Sequence, residues 1–348
     1  MESNAHQTSI LLIYTGGTIG MIQNLETGVL EPFNFQHLRS HMPDLNRLNC
    51  SISTIQFETL LDSSEIGPES WVKIARIISD NYAKYDGFVV LHGTDTMAFT
   101  ASALSFMLEN LSKPVILTGS QLPLGMLRTD GKENLITAIE IASARDGDVP
   151  MIQEVCIFFE NDLMRGNRTS KTSADNFNAF HSYNYPALAH AGISIHYNLP
   201  HIYRPILRKP LKPHFEFDNH IAILKLFPGL SPSVVESILN TPDLKGVVLE
   251  TFGSGNAPTS DWFLSLLKQA TDKGIIVVNV TQCHTGSVEM ERYETGHHLW
   301  ENGVISGYDS TTESAVTKLM FLFGSGLTPN EVKEYMQCSL AGEITVPQ

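Results

Sequence analysis

The length, composition and charge of the chain describe a folded protein and exclude several classes of function. Its 348 residues suffice for two domains of ordinary size, and a chain that is 42% hydrophobic and 17% charged is not of the disordered type. The formal net charge of −14 opposes a general affinity for phosphate backbones, so nucleic acid is not expected as a partner. The sequence shows no basic leader and no apolar run long enough to cross a bilayer, which predicts a cytoplasmic protein with no membrane partner.

Two apolar runs in the first hundred residues each end in a turn that carries threonines beside glycine. The first lies in Ile10–Gly20 and delivers Thr15 and Thr18, which are separated by two glycines. The second lies in Gly87–Thr96 and ends in His-Gly-Thr-Asp-Thr. Such runs are typical of buried strands, and glycine allows the backbone to approach a ligand closely. Because the carboxyl ends of parallel strands meet at one edge of a sheet, the two turns are predicted to form one site.

Further strand patterns follow along the chain, with helical patterns between them. The runs Phe88–Leu91, Val115–Thr118 and Val155–Phe159 are apolar on both faces, as expected for strands covered by helices on each side. Met97–Asn110 carries apolar residues at helical spacing, which predicts a crossover helix. This alternation predicts an α/β fold with right-handed crossovers.

The chain is predicted to form two α/β domains. Several prolines interrupt regular elements between about Tyr183 and Asn219, where a linker is expected, with a β-hairpin at its start as the alternative. Strand patterns then resume, with a helix predicted at Asp261–Asp272. The predicted division is an N-terminal domain over 1–190 with a mainly parallel sheet flanked by helices, a linker over 191–219, and a smaller C-terminal α/β domain over 220–348.

The loops at the strand ends collect polar residues that suit acyl transfer through a threonine. A threonine hydroxyl is a weak nucleophile unless a neighbouring group takes its proton. Lys171 is the basic group that the sequence offers for this, and Asp95 is expected either to hold that lysine or to bind a substrate ammonium. Backbone N–H groups of the glycine-bearing turns suit an oxyanion. For any one loop alone, the alternative is that small polar residues simply form turns.

The sequence predicts neither a metal site nor a cofactor. Its four cysteines are scattered without C-x-x-C spacing, which argues against a zinc site and a disulfide framework. The sequence contains no phosphate-binding loop of the G-x-x-x-x-G-K-S/T type. The glycine-rich segment 253–258 fails the spacing of a dinucleotide fingerprint.

Three motifs together resemble the L-asparaginase/glutaminase family, and within it the cytoplasmic type I enzymes of bacteria. They are the turns after the two strands, Tyr14–Gly20 and Leu91–Met97, and the basic segment Arg165–Lys171. The match keeps the right order from about Ser9 to the C-terminus. The resemblance implies hydrolysis of the side-chain amide of L-asparagine to L-aspartate and ammonia, by a homotetramer built as a dimer of dimers.

The resemblance also implies roles for individual residues. Thr18 would be the nucleophile, supported by Thr94, Asp95 and Lys171, with Lys171 relaying the proton. The substrate would be bound by residues that line the pocket or reach it from a neighbouring subunit: Asp62, Ser63, Ser64, Thr94 and Asp95, with Asn256 and Glu313 from the neighbour. An effector site would include Ser170, Glu250, Thr281, Gln282 and Cys283.

The chain departs from the family pattern at three positions. Val29 stands where many members carry a tyrosine in the loop after the first turn, so a phenol cannot take part in closing that loop. Glu65 replaces the last aspartate of the usual D-S-S-D. Glu250 stands where the cooperative bacterial type I enzyme has an arginine, and a carboxylate there predicts weak or absent activation by asparagine. The alternative is that Glu250 pairs with a nearby cation and leaves the site usable.

Two other functions fit part of the pattern. The amidase subunit of a tRNA-dependent amidotransferase shares these motifs, but it would need an added N-terminal domain and a basic surface for tRNA. The start of the first strand at Ser9 and the acidic balance disfavour that interpretation. A non-catalytic amino-acid sensor would keep the pocket without turnover, and the complete set of threonine, aspartate and lysine groups argues against it.

Overall fold

The computed structural model describes residues 7–23, 30–32, 42–205, 209–290 and 294–346, and the chain divides into two compact units. The first unit is Met1–Pro213 and the second is His214–Gln348. Each unit has its own sheet and its own hydrophobic core. The predicted fold class is confirmed, since a larger unit with a mainly parallel sheet precedes a smaller α/β unit.

The first unit is built on an eight-stranded sheet. In chain order its strands are β1 (Thr8–Gly16), β2 (Cys50–Leu61), β3 (Gly87–Leu91), β4 (Val115–Thr118), β5 (Val155–Phe159), β6 (Asp162–Arg165), β7 (Ala189–Ala191) and β8 (Ile195–Tyr197). Across the sheet the order is β8-β7-β6-β5-β4-β3-β1-β2. The strands β2, β1, β3, β4 and β5 run parallel to one another, whereas β6 pairs antiparallel with β5 and β7, and β7 pairs antiparallel with β8.

Three helices of the first unit follow strands β2, β3 and β4. They are α1 (Pro68–Asn81), α2 (Met97–Met107) and α3 (Gly131–Ser143). Every residue of β3, β4 and β5 is buried, as the apolar runs of these strands predict. The predicted helix at 97–110 ends at Met107, because the next two residues form a short strand instead. Such short strand pairs are Met21–Gln23 with Leu30–Pro32, Leu108–Glu109 with Lys212–Pro213, Arg145–Asp146 with Val149–Pro150, and Ser170–Lys171 with Phe180–His181.

The strand order places a switch point between β1 and β3. From β1 the chain goes to β2 on one side, and it then returns to pair β3 on the other side of β1. In open α/β sheets, ligands bind outside the carboxyl ends of the strands at the point where the order reverses in this way. Thr18 follows β1 and Thr94 follows β3, so the fold brings both predicted turns to this point.

The structure shows the β-hairpin that was the alternative to the start of the predicted linker at 191–219, and it places most of that linker in the first unit. The first residues of that linker belong to the hairpin of β7 and β8, which forms one edge of the first sheet. Pro186 and Pro200 flank this hairpin rather than interrupt it, and the first unit extends to Pro213. A proline breaks a ladder only where its missing N–H would pair, so short strands fit between two prolines.

The second unit is built on a four-stranded parallel sheet. Its strands are β9 (Ile221–Lys225), β10 (Gly246–Thr251), β11 (Ile276–Thr281) and β12 (Ile305–Ser306), in that order across the sheet. Its helices are α4 (Pro232–Leu239), α5 (Asp261–Asp272), α6 (Glu294–Glu301), α7 (Thr312–Gly324) and α8 (Pro329–Met336). The helix predicted at 261–272 is confirmed with the same bounds. In the described part of the chain, no helix combines the length and the apolar character needed to cross a membrane.

Candidate active site

The end of β1 and the turn that follows it carry two threonines that differ in accessibility. Thr15 is fully buried, and its hydroxyl donates to the carbonyl oxygen of Leu91 at 2.9 Å, which fastens the end of β1 to the end of β3. Gly17 has a φ of +86°, and a Cβ atom there would lie 2.5 Å from the Cα atom of Gly93. The two turns therefore pack backbone against backbone. Thr18 follows Gly17 and is exposed, so its hydroxyl is the accessible one.

The loop after β2 contributes a carboxylate and two serines. Asp62 accepts hydrogen bonds from the Ser64 hydroxyl at 2.6 Å and from the Ser64 backbone N–H at 2.9 Å, and these two bonds hold the pKa of Asp62 below its usual range. Ser63 is buried, its hydroxyl oxygen accepts from the N–H of Asp95 at 3.3 Å, and its carbonyl accepts from the Thr96 hydroxyl at 2.6 Å. Ser63 thus holds the turn after β3, while Asp62 and Ser64 are exposed.

Lys171 meets the turn after β3 directly. Its Nζ donates to Oγ1 of Thr94 at 2.9 Å and to Oδ1 of Asp95 at 2.6 Å. The lysine side chain is 15% exposed, whereas that of Asp95 is 63% exposed. The contact of Asp95 with the lysine is one of its two expected roles, and its role toward a substrate ammonium stays a prediction. The arrangement gives Thr94 an amine partner at the switch point of the sheet, which suits proton transfer to or from a bound reactant.

A buried series of hydrogen bonds, which the sequence did not indicate, supports the turn after β3. The indole N–H of Trp71 donates to the Thr100 hydroxyl oxygen at 3.0 Å, and that hydroxyl lies 2.9 Å from Nε2 of His92. Nδ1 of His92 lies 2.6 Å from the carbonyl oxygen of Gly93. The network assigns the neutral tautomer with hydrogen on Nδ1, since Gly93 offers only an acceptor. Burial lowers the pKa of His92 to about 4.

This low pKa gives an expected dependence of stability on pH. In the unfolded chain the His92 pKa is near its ordinary value of about 6.5, so between pH 6.5 and 4 the unfolded state binds the extra proton. Stability is therefore lost as pH falls through that window, by roughly 3 kcal/mol at pH 4 for a shift of this size. Denaturant titrations at pH 7 and pH 4 measure how far the unfolding free energy falls between the two pH values. This fall should be smaller in His92→Gln than in the parent, by about that amount. Equal losses in the two proteins would contradict this assignment.

Glu250, the departure from the family pattern, is already paired within the second unit. Its carboxylate accepts from the Thr312 hydroxyl at 2.7 Å and lies 3.2 Å from Nζ of Lys225. The Glu250 side chain is 13% exposed and that of Lys225 is 65% exposed. Pairing of Glu250 with a nearby cation is the arrangement that the alternative interpretation expected.

Two of the other residues predicted for an effector site, Gln282 and Thr281, make contacts within the second unit. The Gln282 side chain donates to the carbonyls of Leu226 at 2.7 Å and of Glu250 at 2.8 Å. The Thr281 hydroxyl donates to the carbonyl of Gly253 and accepts from the N–H of Cys283. Ser170 lies in the first unit, on the short strand that carries Lys171.

The remaining predicted residues lie at strand and helix ends. In the second unit, Asn256 closes a tight turn after β10 by exchanging backbone hydrogen bonds with Phe252 at 2.8 and 3.0 Å, and Glu313 lies in the first turn of α7. Glu65 ends a short 3-10 helix and is exposed. Val29 lies outside the described residues. The contribution of Asn256 and Glu313 to a substrate site stays a prediction.

The fold and the site together define an α/β enzyme. The accessible hydroxyl belongs to Thr18, and Lys171 is bonded to Thr94 and Asp95. These groups follow the strands at the switch point of the sheet, where ligands bind in this fold class. Comparison with known proteins gives the family. The model described as "Asparaginase, N-terminal" matches residues 9–203, and that of the "Glutaminase/Asparaginase C-terminal domain" matches residues 220–336. The chain belongs to the asparaginase family.

Individual relatives agree with this membership. L-asparaginase 1 of Escherichia coli K12 is 45% identical, over 97% of this chain and 98% of the relative. The crystal structure of L-asparaginase I from Vibrio cholerae superposes with a TM-score of 0.89 at 43% identity, over 98% of this chain and all of that one. The thermostable L-asparaginase from Thermococcus kodakarensis superposes with a TM-score of 0.88 at 34% identity, over 98% of this chain and all of that one.

Proposed function

We propose that the chain hydrolyses the side-chain amide of L-asparagine to L-aspartate and ammonia through an ester on Thr18. The observation that carries the proposal is the packing of Gly17 on Gly93, because Thr18 follows Gly17 and Thr94, the partner of Lys171, follows Gly93. The proposal also agrees with the names of the relatives at 45% and 43% identity.

The proposed reaction has two steps, formation of the ester on Thr18 and hydrolysis of that ester. Oγ1 of Thr18 attacks the amide carbon, the C–N bond breaks, and the proton of the hydroxyl leaves with the departing nitrogen as ammonia. Thr94 and Lys171 carry that proton, since Nζ of the lysine contacts Oγ1 of the threonine. Water then attacks the ester, Thr18 regains its proton, and aspartate is released. Backbone N–H groups in the two turns stabilise the oxyanion of each step.

Charged groups around this point suit the two ends of a free amino acid. Asp95 is more than half exposed and offers a second carboxylate oxygen to an α-ammonium. The Ser64 hydroxyl and the N–H groups of its loop suit an α-carboxylate, with Asp62 fixing the loop through its two hydrogen bonds to Ser64. The substrate is therefore expected to carry both groups, as asparagine does.

Ammonia release tests the proposed function against the alternatives. The purified chain should release ammonia from L-asparagine faster than from L-glutamine or D-asparagine. The amidase component of a tRNA-dependent amidotransferase would favour glutamine, and a sensor would bind L-asparagine without releasing ammonia. Either of those results would overturn the proposal.

We further propose a cytoplasmic homotetramer, a dimer of dimers, in which Asn256 and Glu313 complete the substrate site of a neighbouring subunit. The support is the family resemblance of these two positions. Mixing an inactive Thr18→Val protein with an inactive Asn256→Ala protein under subunit exchange should restore part of the activity, because some hybrid sites then carry both native residues. Each variant exchanged with itself is the control. Hybrids that assemble and stay inactive would contradict a shared site.

We also propose that asparagine does not activate this enzyme, or activates it only weakly. The support is the charge at position 250, because a carboxylate there offers no bidentate cation to an anionic effector where an arginine would. The bonds of Glu250 to Thr312 and Lys225 match the alternative that leaves the site usable, so the kinetics must decide between the two. Losing one charged anchor removes most of a coupling that is typically about 1–3 kcal/mol. The initial rate against L-asparagine concentration should follow a hyperbola. A clearly sigmoidal curve, with a second asparagine bound near Cys283, would show that the site works despite Glu250.

A further inference from the structure

The phenol of Tyr14 lies against the turn that carries Thr18. Tyr14 is in β1, two residues before the strand ends, and its side chain is fully buried in the core of the first unit. A Cβ atom added at Gly20 would lie 2.0 Å from Oη of Tyr14, 2.1 Å from its Cζ and 2.6 Å from its Cε2. Burial raises the pKa of this phenol, so the group that faces the turn is neutral. The outer edge of the ring is therefore in direct contact with the backbone of Gly20.

This contact, and not the backbone angles, requires glycine at position 20. The φ of Gly20 is not positive, so an alanine could adopt the same backbone conformation. The three distances all fall short of the 3.4 Å at which ordinary van der Waals contact begins. Because the ring of Tyr14 is enclosed by a close-packed core, it cannot swing aside. A methyl group at Gly20 would therefore displace the turn, by about 1 Å or more.

The residues on both sides of Thr18 are fixed by close contacts. On one side, Gly17 packs on Gly93. On the other side, Gly20 is buried against Tyr14. The N–H of Gly20 donates to the carbonyl oxygen of Gly17 at 3.3 Å, which links the two contacts through the turn. Thr18 is the exposed residue between them, so the position of its hydroxyl depends on both contacts.

We propose that Tyr14 is a positioning residue that supports the turn after β1 and thereby fixes the place of the Thr18 hydroxyl. This inference rests on the proposed function, because it requires Thr18 to be the nucleophile. Tyr14 acts through the backbone of Gly20 and takes no part in proton transfer. A misplacement of about 1 Å lowers a rate about 100-fold even when its cause lies away from the reacting atoms. The groups proposed to bind the substrate lie in the loops after β2 and β3, so substrate binding does not depend on this contact.

The test changes the two sides of the contact separately and together. Gly20→Ala adds the methyl group, and Tyr14→Leu removes the three atoms that this methyl group would meet. Tyr14→Phe removes Oη alone and leaves Cζ in place. Gly192→Ala is the control, because a Cβ atom at that exposed position would lie 3.9 Å from the carbonyl oxygen of Ser194 and meet no closer atom outside the adjacent residues. For each single variant, and for Gly20→Ala combined with each change at Tyr14, kcat and KM with L-asparagine are measured, and thermal unfolding confirms folding.

Gly20→Ala should lower kcat about 100-fold with little change in KM, because it displaces the nucleophile and not the loops that bind the substrate. Tyr14→Leu should lower kcat less, since it leaves a gap beside the turn without pushing the turn aside. Added to Gly20→Ala, Tyr14→Leu should raise kcat about tenfold, whereas Tyr14→Phe should not raise it. Tyr14→Phe by itself keeps the ring and should keep most of kcat, and Gly192→Ala should match the parent. The rate of the parent tests the proposed function, whereas the ratio of each variant to the parent tests this inference.

Three results would overturn the inference while leaving the proposed function standing. One is a parental kcat in folded Gly20→Ala. Another is an equal kcat in Gly20→Ala with and without Tyr14→Leu, because the loss would then come from a different contact. The third is a rescue by Tyr14→Phe as large as that by Tyr14→Leu, because the ring would then not support the turn. If Gly20→Ala does not fold, Tyr14→Leu decides alone, and a parental kcat in that variant overturns the inference.

Discussion

Replacing Thr18 with valine is expected to lower the turnover of L-asparagine by several orders of magnitude in a protein that still folds. Valine has nearly the same shape, so the substitution removes the hydroxyl and little else. Thr18 is exposed, and the fold does not depend on burying its side chain. The remaining rate would come from the oxyanion donors and from substrate binding alone. Ammonia release under saturating L-asparagine measures the loss.

Thr15 provides the matched control for this substitution. Its hydroxyl is buried and donates to the carbonyl of Leu91, so Thr15→Val leaves that carbonyl without this partner. The expected cost is about 1–3 kcal/mol of unfolding free energy. Loss of the hydroxyl is thus expected to reduce catalysis at Thr18, in the turn, and stability at Thr15, at the end of β1. Near-normal turnover in Thr18→Val would reject Thr18 as the nucleophile.

The second large effect is expected at Thr94 and Lys171, which should behave as one unit. Nζ of the lysine lies 2.9 Å from Oγ1 of the threonine, so removing either partner breaks the same proton path. Thr94→Val and Lys171→Met should each reduce kcat by about 10²–10⁴-fold, the range of general acid–base catalysis. The double variant should be little worse than either single one.

A double-mutant cycle on kcat measures this coupling. Lys268→Met is the control for loss of a lysine, because Lys268 is exposed and pairs with Asp272 on the next turn of the same helix. That variant should keep the parental rate. Losses at Thr94 and Lys171 that simply multiply would show two independent roles instead of one proton path.

Much of the fold could be predicted because its strands are buried on both faces. Continuous apolar runs such as Val115–Thr118 and Val155–Phe159 predict central strands, and the structure has them with those bounds. The hairpin of β7 and β8 was predicted only as the alternative to a linker. Its strands have three residues each and lie between prolines, so neither an apolar run nor an alternating pattern of useful length marks them.

The candidate site could be predicted in its parts, but its connections depend on the fold. The residue pattern alone does not show which of Thr15 and Thr18 has the accessible hydroxyl. The structure distinguishes them, because β1 pairs with β3 and brings the Leu91 carbonyl to the Thr15 hydroxyl. Lys171 lies 77 residues from Thr94, and no periodic pattern joins them. The family resemblance supplied that pair.

Two contacts could not be predicted from the sequence, for a similar reason. His92 reaches Thr100 from the end of a strand to the following helix, and the packing of α2 sets that distance. The charge of Glu250 was visible, but its partner Lys225 comes from the end of the neighbouring strand β9. Cross-strand partners are fixed by register, which the sequence did not specify for these two strands.

The assignment of Thr18 as the nucleophile is tested most directly by identifying the residue that carries the acyl group during turnover. The parent protein is mixed with L-asparagine, quenched in acid within the first turnovers, digested, and its peptides are mapped by mass spectrometry. The proposed mechanism predicts an added β-aspartyl group on the peptide that contains Thr18, at the oxygen of that residue, and no such group in Thr18→Val. A β-aspartyl group on Thr94, with Thr18 unmodified, would contradict it.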